Sequence, residues 1–197
     1  MIVYGEKNGK KQINVLPIEW VLGLREHPSS ELFQTDAEKN VSQALLLTQI
    51  ASDALESGDY NKALQTLQQM SRLTPDDSST WAGLGELYLH FNRLDNALGA
   101  CQKAVRLGPE QADSWSCLGD FYESSGQYPE AEKALKRAVD LEPNEPVNWL
   151  GLGRVLAEEN KRIGVMTIYD RLKALDHNYA DQYFRLFVKP ILESPNR

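Results

Sequence analysis

Few residues of this 197-residue chain are arranged for catalysis or for metal binding. The three histidines, His27, His90 and His177, lie in unrelated segments and lack the spacing of a metal site. Gly83-Leu84-Gly85 and Gly151-Leu152-Gly153 look like the start of a dinucleotide-binding loop, but no strand precedes them and no third glycine follows. The sequence also lacks a phosphate-binding loop and a nucleophile motif. It therefore predicts no catalytic site, no metal site and no cofactor.

The two cysteines, Cys101 and Cys117, are expected to have no chemical role. Two cysteines do not make a disulfide framework, and both fall on predicted helices. We expect buried free thiols in a reducing compartment. The N-terminus lacks a basic start followed by an apolar core, and no run of about 18 apolar residues could span a membrane. The sequence therefore predicts a cytoplasmic protein without membrane insertion.

The segments that carry these residues repeat at a fixed interval, which we call the period. Seven residues return 34 positions later: Trp81, Leu84, Gly85, Tyr88, Ala97, Ala104 and Pro109 become Trp115, Leu118, Gly119, Tyr122, Ala131, Ala138 and Pro143. The Trp, Leu and Tyr of each copy fall on one face of a helix, and the two alanines fall on one face of a second helix. Such a helix pair cannot cover its own apolar face, so neighbouring pairs must stack.

The pattern W-x2-L-G-x2-Y, followed by small residues and a closing proline, resembles the tetratricopeptide repeat. The resemblance implies an all-α fold, a right-handed α-solenoid of about four helix pairs. The array is expected at 35–179, with repeats at about 44–77, 78–111, 112–145 and a degenerate fourth at 146–179. In the fourth repeat Val165, Leu172 and His177 replace the two alanines and the proline.

The two ends of the chain do not fit the repeat. Residues 1–34 are expected to form a β-hairpin around Asn8-Gly9 and a short helix from Ile18 to Leu24. This extension caps the array, occludes its groove or binds a partner. Residues 180–197 are expected to form a capping helix and tail, in which Pro190 should kink or end the helix. Its apolar residues either fold back over the fourth repeat or form an interface to a partner or to a second copy. They are Tyr183, Phe184, Phe187 and Ile191.

The resemblance further implies a peptide-binding groove on the concave face of the first helices. Members of the family hold an extended or helical segment of a partner there. The residues that the resemblance places in the groove are Thr48, Ser52, Leu55 and Glu56, then Ala82, Glu86, Leu89 and His90, then Ser116, Asp120 and Glu123, and finally Val147, Leu150 and Arg154.

The regular repeats are acidic. Residues 44–145 hold 16 Asp and Glu against 8 Lys and Arg, and the whole chain has a formal net charge of −7. Nucleic acid needs a basic surface, and an acidic peptide would meet like charge. We therefore expect a non-enzymatic protein-interaction module for a basic or neutral segment with apolar anchors: an adaptor, an assembly factor or a small chaperone.

Two alternatives stay open from the sequence. The chain could instead be a structural subunit or self-associating scaffold of a larger complex that uses its terminal segments. The acidic residues could also serve only as a solvated surface that maintains solubility.

Overall fold

The N-terminal residues form two paired strands. The computed structural model describes residues 2–7, 10–15 and 36–193, and the side chains from residue 43 onward. Strand β1 (Ile2–Lys7) pairs antiparallel with β2 (Lys10–Val15). The turn expected at Asn8-Gly9 and the helix expected at Ile18–Leu24 lie outside the described residues. The chain divides into two units, Met1–Leu47 and Thr48–Arg197, and the role of residues 1–34 as an extension of the array stays a prediction.

Helices follow one another from residue 36 to residue 193. They are α1 (Asp36–Glu56), α2 (Tyr60–Leu73), α3 (Ser78–His90), α4 (Leu94–Leu107), α5 (Ala112–Ser124), α6 (Tyr128–Leu141), α7 (Pro146–Glu158), α8 (Arg162–Leu175), α9 (His177–Tyr183), a π-helical turn (Phe184–Val188) and α10 (Lys189–Glu193). Within the second unit α3 contacts α5 and α5 contacts α7, while α4 and α6 each pack against the helix that follows. This stacking of successive pairs confirms the predicted helical array.

A left-handed residue closes the turn inside each helix pair. In an L-residue this conformation brings the Cβ against the backbone, so glycine is favoured and asparagine is the best substitute. The four residues are spaced one period apart: Gly58 (φ 73°), Asn92 (φ 54°), Gly126 (φ 70°) and Asn160 (φ 56°). The turn geometry therefore has the same period as the apolar pattern, and it includes the degenerate fourth repeat.

The tryptophans of the second, third and fourth repeats each bond their helix to the preceding loop. The indole N–H donates to the carbonyl of the proline six residues earlier. The three bonds are Trp81 to Pro75 at 2.9 Å, Trp115 to Pro109 at 2.8 Å and Trp149 to Pro143 at 2.8 Å. The acceptor is a backbone carbonyl, so each bond fixes the helix to the loop before it and does not itself require the proline side chain.

The C-terminal segment covers the fourth repeat. Tyr183 is fully buried, and its hydroxyl donates to the carbonyl of Gly153 at 3.2 Å. This burial raises the pKa of the Tyr183 phenol. Phe184, Phe187 and Ile191 are half-buried against the same core. Tyr183 is therefore not available to a partner, and a terminal interface through the other three residues stays a prediction.

Pro190 does not end the last helix. In a regular α-helix its ring would collide with the carbonyl of Leu186, four residues earlier. The chain instead forms the wider π turn Phe184–Val188 directly before α10, and the helix continues to Glu193. The π turn accommodates the proline without stopping the helix.

The expectation of free thiols is wrong. Cys101 on α4 and Cys117 on α5 form a disulfide, their Cα atoms lie 5.4 Å apart, and both residues are fully buried. One cysteine alone on a packing face predicts a small apolar residue. The bond arises because Cys117 occupies the facing position on the next repeat.

The same position at the two flanking interfaces holds a leucine and a glycine. A Cβ built on Gly83 would lie 3.0 Å from Cδ1 of Leu67, and one built on Gly151 would lie 3.2 Å from Cδ2 of Leu135. These pairs are displaced from the cysteine pair by one period in each direction. A disulfide therefore replaces an apolar contact at the interface between the second and third repeats.

Gly126→Ala should lower the free energy of unfolding by about 1 kcal/mol, because φ is 70° there and an added Cβ strains the backbone although it meets no neighbour. The corresponding fall in the thermal midpoint is about 2–4 °C, measured by circular dichroism. Gly99→Ala on α4 is the matched control. Its Cβ also meets no neighbour, and in a helical backbone it should raise the midpoint. Equal midpoints for the two variants would contradict the left-handed turn.

Candidate functional site

The residues expected to line the groove lie on α1, α3, α5 and α7, and the structure divides them into three groups. The exposed group is Thr48, Ser52, Leu55, Glu56, Glu86, His90 and Val147. The half-buried group is Leu89, Ser116, Asp120, Glu123, Leu150 and Arg154. Ala82 forms the third group, because it is 2% exposed in the core between the second and third repeats. The expectation that Ala82 lines the groove is therefore wrong.

Arg154 on α7 is engaged by two carboxylates of α5. One guanidinium nitrogen, Nη2, donates to Asp120 at 2.8 Å and to Glu123 at 2.6 Å, and Nε donates to Glu123 at 3.2 Å. The fork-shaped contact with Glu123 is the geometry in which an Arg–carboxylate pair is strongest. Arg154 is therefore already neutralised by the chain itself.

Burial raises the pKa of the Asp120 carboxyl, and Arg154 opposes that rise. The negative charge of Glu123 raises the pKa of Asp120 further. The net rise in pKa shows that Asp120 is incompletely compensated even with an arginine in contact.

Glu86 on α3 has no cationic partner among the side chains that the structure describes. Desolvation by the surrounding repeats and, less strongly, the negative charges of Asp120 and Asp113 raise the pKa of its carboxyl to about 7. Its side chain nevertheless remains exposed to solvent. Both observations fit a carboxyl group at a recessed surface, where protein surrounds it but water still reaches it. Because water screens the charge there, the pKa shift of Glu86 should not be converted in full into a loss of folding stability.

We call Glu86, Asp113, Asp120 and Glu123 the acidic face. Asp113 was not among the residues expected in the groove, although it lies one period before Val147, which was. The same register that places Val147 beside the groove would have identified Asp113.

Next to the acidic face lies an open polar cleft of about 380 Å³. Its lining residues are Asp120, Glu123, Ser124, Tyr128, Arg154 and Glu158. Tyr128 was not anticipated, because it is the first residue of a second helix and the groove was assigned to first helices only.

Several of the other residues expected in the groove are apolar or aromatic. Leu55 is 44% exposed and Val147 is 52% exposed, which makes them the most accessible apolar side chains of the set. The His90 ring lies against the Tyr60 ring with 4.0 Å between centroids, so packing accounts for that histidine. Among the described residues no cluster of His, Cys, Asp and Glu could hold a metal ion. No described helix is both long enough and apolar enough to cross a membrane.

Sequence comparison gives one kind of match. Two models described as tetratricopeptide repeat match residues 48–112 and 112–155. A comparison with curated protein sequences finds no match.

Solved structures give fold-level matches. A tetratricopeptide repeat protein of Thermus thermophilus is 23% identical, with a TM-score of 0.64, over 70% of this chain and 77% of its own. A mutant O-GlcNAc transferase of Thermobaculum terrenum is 23% identical, with a TM-score of 0.62, over 67% of this chain and 26% of the enzyme. The first tetratricopeptide repeat domain of Spaghetti, bound to an HSP90 peptide, is 21% identical, with a TM-score of 0.53, over 58% of this chain and 90% of its own.

Glu86→Gln should stabilise the fold at pH 8 and leave it unchanged at pH 4. The folded-state pKa of Glu86 is about 7, above its ordinary 4.5, so the wild type loses stability as pH rises from 4.5 to 7 and Glu86 ionises. Glutamine stays neutral and avoids that loss. Urea unfolding at the two pH values measures the difference. The exposed Glu142→Gln is the control, and an equal effect of both substitutions at pH 8 would contradict the prediction.

Proposed function

Because the chain belongs to the tetratricopeptide repeat family, we propose that it is a non-enzymatic interaction module whose acidic face holds a basic segment of a partner protein. The observation that carries this proposal is the difference between two carboxyl groups. Glu123 is held by Arg154, whereas Glu86 has no cation among the described side chains and its pKa is raised. A lysine or arginine of a partner would supply the missing positive charge.

Electrostatics favours a basic partner in a second way. Asp113 and Asp120 both act on Glu86, so the uncompensated charge is concentrated at α3 and α5. Complementary charge at such a surface mainly increases selectivity and the association rate. Partners with acidic segments are disfavoured, because Arg154 is already occupied by Asp120 and Glu123.

Apolar residues beside the acidic face would hold the flanks of the segment. Val147 is exposed, and Leu150 and Leu89 are half-buried on neighbouring first helices. Apolar anchors contribute affinity by burial, while the charge selects among partners. The preferred segment therefore combines a basic residue with apolar neighbours.

The Spaghetti domain provides a contrast in ligand type. Its bound peptide reads SRMEEVD and ends in acidic residues. On this chain such a peptide would meet Glu86, Asp113 and Asp120. We therefore assign this chain a different class of ligand on the same fold.

An adaptor, an assembly factor and a small chaperone would all use such a surface. The alternative function, a scaffold that uses its C-terminal segment, receives less support because Tyr183 is buried inside its own chain. The cytoplasmic location stays a prediction, and the Cys101–Cys117 bond weighs against it, because disulfides persist in oxidising compartments.

Peptide binding tests the proposal directly. Three short capped peptides, identical except for a central Lys, Ala or Glu between leucines, are titrated by fluorescence anisotropy. The Lys peptide should bind about tenfold more tightly than the Ala peptide, and the Glu peptide should bind least. Glu86→Lys should abolish the preference for Lys, while Glu142→Lys, with the same change in net charge, should retain it. Equal affinity for all three peptides would overturn the proposal.

The affinity for the Lys peptide should also depend on pH. Below pH 7 an increasing fraction of Glu86 is protonated and loses its attraction for a cation, so affinity should fall between pH 8 and pH 6. In Glu86→Gln the affinity should be lower at pH 8 and nearly constant over this range. A wild-type profile that matches that of Glu86→Gln would exclude Glu86 from the binding site.

A further inference from the structure

The Cys101–Cys117 disulfide lies directly behind the acidic face. Gly85, the neighbour of Glu86 on α3, packs against the disulfide so closely that a Cβ would collide with both sulfur atoms. Cys117 itself lies one helical turn before Asp120 on α5. The cross-link thus joins α4 to α5 and supports α3 at the point where Glu86 and Asp120 act on each other.

The charges at this level of the array change from one interface to the next. Residues one period apart occupy the same position on successive first helices, and here they are Ser52, Glu86, Asp120 and Arg154. By register the equivalent pair of the first and second repeats is Ser52 and Glu86, which contains a single carboxyl group. In the third and fourth repeats the pair is Asp120 and Arg154, whose charged atoms lie 2.8 Å apart. Only the middle interface of the described repeats sets two carboxyl groups side by side.

The core contact behind the middle interface also differs from the core contacts behind the two flanking interfaces. At the interface of the Ser52–Glu86 pair and at that of the Asp120–Arg154 pair, the core contact is a leucine side chain on a glycine: Leu67 on Gly83 and Leu135 on Gly151. Behind the two carboxyl groups, the contact is the disulfide. The covalent bond thus occurs at the interface where two carboxyl groups of like charge interact.

We propose that the Cys101–Cys117 disulfide is a positioning element of the ligand site, which holds α3 and α5 together against the repulsion of Glu86 and Asp120 so that one cationic group of a partner contacts both carboxylates. The ligand part of this inference rests on the proposed function, whereas the positioning part does not. A noncovalent contact would let the two helices move apart until the repulsion fell, and the two carboxylates would then bind a cation separately and more weakly. Among the described residues, the charged groups that act on Glu86 are Asp113 and Asp120 of α5. Arg154 of α7 and Glu123 of α5 in turn act on Asp120.

The flanking interfaces suggest a disulfide-free variant that tests the positioning role of the Cys101–Cys117 bond. Cys101→Leu with Cys117→Gly installs the pair that occupies both flanking interfaces, so the core stays filled and only the covalent bond is lost. Intact mass verifies the disulfide in the wild type, and circular dichroism verifies folding of the variant. Cys101→Ala with Cys117→Ala serves as a second variant, in case the leucine does not fit.

The first readout needs no ligand. The pKa of Glu86 is measured by carbon-13 NMR titration of glutamate-labelled protein, with Glu86→Gln to assign the signal. Loss of the cross-link should lower this pKa toward its ordinary value, because Asp120 moves away. An unchanged pKa in a folded variant would overturn the positioning role, even if the thermal midpoint fell, because a disulfide that only stabilises the fold has no reason to alter this carboxyl group.

The second readout is selectivity for the Lys peptide over the Ala peptide. In the disulfide-free variant this ratio should fall about fivefold, while the affinity for the Ala peptide stays the same. If the pKa of Glu86 shifts but the wild type prefers no peptide, the proposed function fails and the positioning role stands. If the wild type prefers the Lys peptide and the variant keeps the same preference, the proposed function stands and the disulfide has no part in it.

Discussion

The array depends on the close approach of neighbouring helices at one glycine in each of the second, third and fourth repeats. Gly85, Gly119 and Gly153 are spaced one period apart, and a Cβ at any of them would collide with its neighbour. The neighbour differs each time: the disulfide sulfurs at Gly85, the Leu135 side chain at Gly119 and the Tyr183 ring at Gly153. The first two come from the array, but Tyr183 comes from the C-terminal segment. The last repeat thus uses its cap to fill the site that another helix pair would otherwise occupy, which is how a stack of this kind can end.

The sequence predicted the features that depend on period. The Trp, Leu and Tyr of the first helix, the two alanines of the second helix and the closing proline return after one period, so two clear copies are enough to place the weaker first and fourth repeats. Asn160 was not predicted as a turn residue, although its left-handed conformation follows from its position one period after Gly126. A periodic pattern identifies which residues occupy equivalent positions in successive repeats. The position within the repeat then determines whether a residue lies in a helix or a turn and whether it is buried in the core.

Contacts between side chains of neighbouring repeats were not predicted. Such a contact depends on which side chain of the next repeat lies opposite a residue, and not only on the type of the residue itself. Cys101 was correctly placed on a packing face, but its bond depends on Cys117 facing it from the next helix. Arg154 was placed in the groove, but its neutralisation depends on two carboxylates about one period earlier. Ala82 was placed by register alone, whereas its small side chain lets α5 approach and bury it. Comparison of residues in neighbouring repeats as spatial neighbours, and not only as equivalents, would have identified the first two.

The same geometry turns a linear sequence of charges into a surface pattern. Because successive first helices lie side by side, Glu86 and Asp120 become neighbours, and Arg154 closes the acidic row at its C-terminal end. Desolvation of Glu86 and, less strongly, repulsion within that row raise the pKa of Glu86, and both are a cost to the unbound protein. Functional sites commonly carry such a cost, because groups arranged for a ligand are not arranged for the free fold. Arg154 pairs with both Asp120 and Glu123, so under the proposed function Glu86 is the carboxyl group of this row that most needs the cation of a partner.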